Sequence, residues 1–184
     1  SYPLPEKYIV LAPYSKSKLR EWGRELELVA AYPEHNFVLL HSEEVAIEGE
    51  YPNLTNLSGK TDIDNLFSIC ANSCGGIVPD SGIMHVLAVL GKPIAAVFGN
   101  VIPPEYRVSA YDSLIPLKTP LVANRFDFSL YSKQPYCWLN CCYDSLDGSC
   151  YQTSHYKWCT NEISPEKVME TFDEICSSTN SVWQ

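Results

Sequence analysis

Val78-Pro79-Asp80-Ser81-Gly82-Ile83-Met84-His85 gathers a carboxylate, a hydroxyl, an imidazole and a glycine-containing turn in one short stretch. The apolar run before it, Cys74-Gly75-Gly76-Ile77-Val78, stops at a proline. The apolar run after it, Ile83 to Leu90, has helical character and closes at Gly91. A strand, a tight turn and a helix are predicted. The first amides of such a helix have no partner within it, and its dipole is positive at that end. The turn is therefore a ready site for a phosphate or diphosphate. His85 falls about one helical turn beyond Ser81, on the same face, with its side chain leaning back toward the helix start. The plainer reading is that Asp80 or Ser81 only caps the helix, and that His85 is a satisfied core histidine.

Those groups need a frame. Tyr8-Ile9-Val10-Leu11-Ala12, Asn36 to Leu40 and Pro93 to Phe98 are short, continuously apolar runs, as expected of strands buried on both faces. Leu54 to Leu57 is a weaker strand, and Gly76 to Val78 another. Residues 18–32 show helical spacing, with Leu19, Trp22, Leu26, Val29 and Ala30 on one side. A helix over 62–71 would bury Ile63, Leu66, Phe67 and Cys70, with Thr61-x-x-Asp64 resembling a capping box. A short helix is expected around Pro104 to Tyr111 and a strand over Ser113 to Leu117. Ser164 and Pro165 open a last helix striped by Val168, Phe172 and Ile175.

Strands alternating with helices, without period-two polarity, predict an α/β fold: a Rossmann-like parallel sheet with helices on both faces. Ligands in such folds sit at the carboxyl ends of the strands. Three polar loops converge there: Tyr14-Ser15-Lys16, His41-Ser42-Glu43-Glu44 and Asp80 to His85. The chain reads as one domain, with an α/β core over 1–117, a Cys- and Tyr-rich irregular segment over 118–160 and a closing helix over 161–178.

A net charge of −9 over 184 residues is a poor match to a nucleic-acid backbone. No apolar run approaches the roughly 20 residues of a membrane span. A cytoplasmic protein, or one peripheral at the inner membrane, is expected. The chain begins at Ser1 and reads as a trimmed or partial version of something longer. Cys70, Cys74 and Cys176 read as buried thiols. For Cys137, Cys141, Cys142, Cys150 and Cys159 three readings stay open: reduced thiols, one or two disulfides, or a structural zinc. The Asn53 and Asn56 triplets fit the glycan-acceptor pattern, but nothing else points to secretion.

Lined up, these pieces resemble the C-terminal half of glycosyltransferase family 9, the heptosyltransferases of lipopolysaccharide assembly. The match is carried by Asn56-Leu57-Ser58-Gly59-Lys60-Thr61, by Asp80-Ser81-Gly82-Ile83-Met84-His85 and by Gly91-Lys92-Pro93 through Phe98-Gly99. The late cysteines, followed by Ile163-Ser164-Pro165-Glu166-Lys167-Val168, complete it. The resemblance implies a GT-B architecture in which this half binds a nucleotide-sugar donor, an ADP-linked one among the candidates. Carried across, the backbone at Ser81 and Gly82 would hold the diphosphate, with Asp80 shaping the turn and His85 contacting phosphate or sugar. Ser15 would lie in the phosphate loop, Lys18, or else Lys16, would neutralise the leaving diphosphate, Glu44, or else Glu43, would accept from the ribose hydroxyls, and Thr61 would lie near the base. No metal or other cofactor is implied; the donor is a substrate. Asp62-x-Asp64 reads as a helix cap rather than a metal motif.

The departures from the family pattern are Pro79, Ile83, Tyr14 in the first loop and Asn100. No part of the chain matches the acceptor-binding domain, which in the family carries the carboxylate thought to act as base. A donor-binding domain, cut from a longer enzyme or paired with an acceptor subunit or a second copy, is expected to transfer a sugar to lipopolysaccharide or another surface glycan. The alternatives are a binding module that has lost transferase activity and a structural domain stapled by the late cysteines.

Overall fold

The computed structural model describes residues 2–15, 20–98 and 163–180. Within them, five short apolar runs form strands β1 (Ile9–Leu11), β2 (Phe37–Leu39), β3 (Leu54–Asn56), β4 (Gly75–Pro79) and β5 (Ile94–Val97). All pair in parallel, in the order β3-β2-β1-β4-β5. Val10 lies opposite Val38 on one side and Gly76 on the other. A parallel pair needs a crossover, and helices α1 (Glu25–Ala31), α2 (Ile63–Asn72) and α3 (Gly82–Val89) lie in the connections. Helix α4 (Pro165–Asn180) ends the described chain.

The sheet is buried on both faces, and alternate strand residues enter two separate cores. Val10, Val38, Val78 and Ala96 pack with Ile69 and Cys70 of α2 and Met84 and Leu87 of α3. Ile9, Leu11, Phe37, Ile77 and Val97 pack with Trp22, Leu28 and Val29 on the α1 side and Val168, Met169 and Phe172 of α4. Each fully buried aliphatic side chain contributes about 1.5–3 kcal/mol of transfer free energy. Gly76 lets α3 lie close: a β-carbon there would stand 2.4 Å from Leu87 Cδ1. The predicted doubly covered parallel sheet is therefore the fold. Among the described residues no helix is long and apolar enough to cross a membrane.

Several local expectations change. The helix expected over 18–32 begins only at Glu25, and its buried residues include Leu28 and Val29, while Ala30 is exposed. Trp22 precedes the helix and is anchored separately, its indole Nε1 donating to the Ile163 carbonyl at 2.9 Å. Helix α2 is capped by Asp62, as read from Asp62-x-Asp64, its carboxylate accepting from Asn65 N at 2.7 Å, and the capping box expected at Thr61 is not the cap. Ile63 and Phe67 are exposed, so α2 rests on Ile69 and Cys70 instead. Cys70 is buried as expected and Cys74 is exposed. Ser164 caps α4, accepting from Lys167 N at 3.2 Å. Asn53 and Asn56 spend their amides on backbone carbonyls, of Val29, Tyr32 and His35 and of Val45 respectively, which gives both a structural use. Lys16, Lys18, Asn100, the elements expected over 104–117, the segment 118–160 and its five cysteines lie outside the described residues.

Candidate functional site

Strand order reverses between β1 and β4, since the chain proceeds from β1 toward β2 on one side and from β4 toward β5 on the other. A crevice at the carboxyl ends of such a pair is where open α/β sheets take ligands. A cavity of about 620 Å³ lies there. Tyr14 and Ser15 reach it from the loop after β1, His41 and Ser42 from β2, Thr61 and Asp62 from the turn before α2, and Asp80 to His85 from the β4–α3 turn. That volume suits a small-molecule ligand of nucleotide size.

Of the residues singled out in the sequence, Ser15, Thr61, Asp80, Ser81, Gly82 and His85 all line this cavity. Glu43 and Glu44 are exposed and are not among its lining residues. Lys18 lies outside the described residues.

Ser81 occupies the N-cap position of α3 with extended backbone, φ −145° and ψ 166°, but its side chain makes no capping hydrogen bond. Its Oγ is buried with no hydrogen-bond partner among the described residues. Ser81 thus gives the first turn of α3 no side-chain acceptor of the kind that Asp62 gives α2 and Ser164 gives α4. Gly82, next in the helix, has open space among the described residues where a β-carbon would project. An acceptor-rich ligand could approach this backbone directly.

Arg20 supplies the cation that sequence reasoning missed. It lines the cavity, and its Nη1 sits 3.4 Å from Asp80 Oδ2. The aspartate side chain is 8% exposed and the arginine 22%. Arg20 Nε has no hydrogen-bond partner among the described residues, so the guanidinium keeps donors unspent. A helix over 18–32 would have put Arg20 about 200° around from Trp22, facing away from the sheet. Residues 21–24 are not helical, and Trp22 can plug the core while Arg20 turns to the crevice. The helical spacing assumed over 18–32 hid it, since the helix begins only at Glu25.

The first loop is tied down from both sides. Ser15 N donates to Glu21 Oε1 at 3.2 Å, and Ser15 Oγ donates to the Asp80 carbonyl at 3.3 Å. Tyr14 packs against His41 with ring centroids 5.2 Å apart, tilted by 56°. Burial, then the Glu25 and Glu21 carboxylates, push the Tyr14 phenol above its ordinary range, so it stays neutral. Ile63, Leu66, Ile83 and Val86 form an apolar wall. The cavity lining thus combines polar groups, Arg20, Ser81 and the start of α3, with apolar and aromatic ones. That is the combination a phosphorylated ring compound would need.

The model of the family "Glycosyltransferase family 9 (heptosyltransferase)" matches residues 2–125. Lipooligosaccharide heptosyltransferase 2 of Haemophilus influenzae is 35% identical over 48 residues, 26% of this chain and 14% of that protein. Among solved structures, the dodecameric iron-containing heptosyltransferase TibC of enterotoxigenic E. coli, in complex with ADP-D-β-D-heptose, superposes with a TM-score of 0.64 at 14% identity, over 97% of this chain and 47% of that one. The ADP-heptose lipopolysaccharide heptosyltransferase II of E. coli gives 0.63 at 16% identity, over 95% and 48%. The chain spans about half the length of these solved relatives.

Proposed function

The chain belongs to glycosyltransferase family 9, the heptosyltransferases, and we propose that it is the donor-binding half of such an enzyme, with the cavity at the β1/β4 switch point as its nucleotide-sugar site. The observation that carries this reading is that the start of α3, which Ser81 leaves uncapped, and Arg20, 3.4 Å from Asp80, line the same cavity. A sugar nucleotide breaks its sugar–oxygen bond as the nucleoside diphosphate leaves, and negative charge grows on the phosphates. Fixed amides and a guanidinium placed there stabilise that charge more in the transition state than in the ground state. In this reading Arg20 takes the part that the sequence assigned to Lys18. Ser81 Oγ supplies a hydroxyl to the diphosphate, His85 sits one turn further along, and the apolar wall with Tyr14 and His41 faces the ring-bearing end of the donor.

ADP is the first nucleotide to test, because TibC was solved with ADP-D-β-D-heptose. The acceptor in this reading is lipopolysaccharide or another surface glycan, and an acceptor domain, in the same polypeptide or a separate subunit, supplies the base that deprotonates its hydroxyl. The transfer is proposed to need no metal. Thermal unfolding with ADP, GDP, UDP and phosphate in turn tests the donor site. A ligand bound only by the folded chain at a hundredfold excess over its Kd adds about 2.7 kcal/mol. A rise in midpoint with one nucleotide, persisting in chelator, is expected. No rise with any nucleotide at millimolar concentration would overturn the reading.

A further inference from the structure

A second cavity, of about 320 Å³, opens at the amino ends of the strands, opposite the site just described. Its lining brings together Tyr8 and Asn36, just before β1 and β2, Cys74, just before β4, and Phe172 and Cys176 of α4. The two thiols are separated by about a hundred residues of chain. Three observations place them as neighbours. Both border this one small space. Gly75, adjacent to Cys74, meets α4 so closely that a β-carbon on it would stand 2.9 Å from Phe172 Cε2. Cys176 follows Phe172 by four residues, one turn along the same helix face.

The two thiols differ in exposure. Cys74 is exposed and Cys176 half-buried. Burial, then Asp173 and the neighbouring Cys74, push the Cys176 thiol up to about 12. Cys70, on α2, is fully buried and opens on neither cavity.

We propose that Cys74 and Cys176 form a reversible dithiol that oxidises to a disulfide, stapling α4 to the amino end of the sheet. The oxidant is a low-molecular-weight disulfide. The Cys74 thiolate attacks one of its sulfurs, that S–S bond breaks, and one thiolate leaves. Cys176 then loses its proton to solvent and attacks Cys74 Sγ, expelling the second thiolate. Two protein thiols are oxidised by two electrons, and the small disulfide is reduced to two thiols. The cross-link closes a loop of about a hundred residues, the size at which the entropy removed from the unfolded chain is large.

The test treats the whole native chain with oxidised glutathione, blocks remaining thiols, digests it and maps cross-links, reading fragment ions between residues 70 and 74 to separate the two cysteines. The expected product is a peptide pair joined through Cys74 and Cys176. A disulfide asks the Cα atoms to come within roughly 7 Å, so the linked peptide reports that geometry directly. Cys74 found only as a stable glutathione adduct, or bonded to a cysteine between residues 137 and 159, overturns the proposal. Cys176→Ala, which keeps the position apolar, should trap the glutathione adduct on Cys74. The oxidised wild-type chain should unfold at a higher temperature than the reduced one, and oxidised Cys176→Ala should not. An equal rise in the variant would assign the staple elsewhere and overturn the proposal.

Discussion

Arg20 and Asp80 hold one another at 3.4 Å while both line the crevice, so each variant changes two things at once. Arg20→Ala removes the charge-assisted hydrogen bond proposed to the diphosphate, worth about 1.5–3 kcal/mol, and should weaken ADP binding by roughly ten- to a hundredfold. It also strips a nearly buried carboxylate of its cation and should lower the unfolding midpoint. Adding Asp80→Asn removes that second cost. The double variant is expected to regain the midpoint and not the affinity, as read by calorimetry and thermal unfolding. Recovery of both would mean that Arg20 serves only to hold the turn. Gly82→Ala separates the same quantities in the other direction. Among the described residues no atom beyond its own helical turn lies within 4 Å of the added β-carbon, and the residue is helical. Stability should rise by about 0.4–1 kcal/mol, while a phosphate pressed against this backbone should bind several-fold more weakly. Unchanged affinity would place the diphosphate elsewhere.

At the scale of elements, the loop after β2 is shaped by the turn after β3. Asn56 Nδ2 donates to the Val45 carbonyl at 2.8 Å, Val45 N donates to Ser58 Oγ at 2.9 Å, and Gly59 N donates to the His41 carbonyl at 2.9 Å. Gly59 has φ +69°, and a β-carbon there would lie 2.6 Å from Glu44 N. Gly59→Ala should therefore cost about 2 kcal/mol or more, from left-handed strain and backbone displacement together. It should also weaken nucleotide binding by moving His41 and Ser42; circular-dichroism melts and calorimetry check the two effects. The Asn-Leu-Ser-Gly stretch was legible as part of the family resemblance, but its work on a neighbouring loop was not, because hydrogen bonds between residues far apart in sequence leave no periodic signal. The strands were legible for the opposite reason: a strand buried on both faces is an unbroken apolar run. Asp62 and Thr61 are both good caps, and only the backbone path decides which reaches Asn65 N. The cavity's polar loops were legible from the carboxyl-end rule, whereas Arg20 was hidden by the assumption that helix preceded Glu25.

Across the whole molecule, burial of the thiols and phenols sets an alkaline limit on stability. Burial pushes the Cys70 thiol from 9.0 to about 12, with Lys92 opposing, and Cys176 moves likewise. The Tyr8, Tyr14 and Tyr32 phenols are also raised, each chiefly by burial. For each group the folded state keeps its proton after the unfolded chain has lost it. Stability then falls with rising pH wherever the unfolded state binds fewer protons. For Cys70 the contribution is complete below pH 9 and is lost as pH rises toward 12. Cys70→Ala should lower stability at pH 7 by the loss of a packed sulfur and should flatten the decline between pH 9 and 12. Urea unfolding at stepped pH measures both. The comparison isolates one thiol, since every other titrating group is shared by the two proteins. An equal slope in the variant would mean that the Cys70 thiol ionises in the fold as freely as it does in the unfolded chain. That result would contradict a core in which α2 seals the sheet through Ile69 and Cys70, the packing that holds α2 beside the crevice.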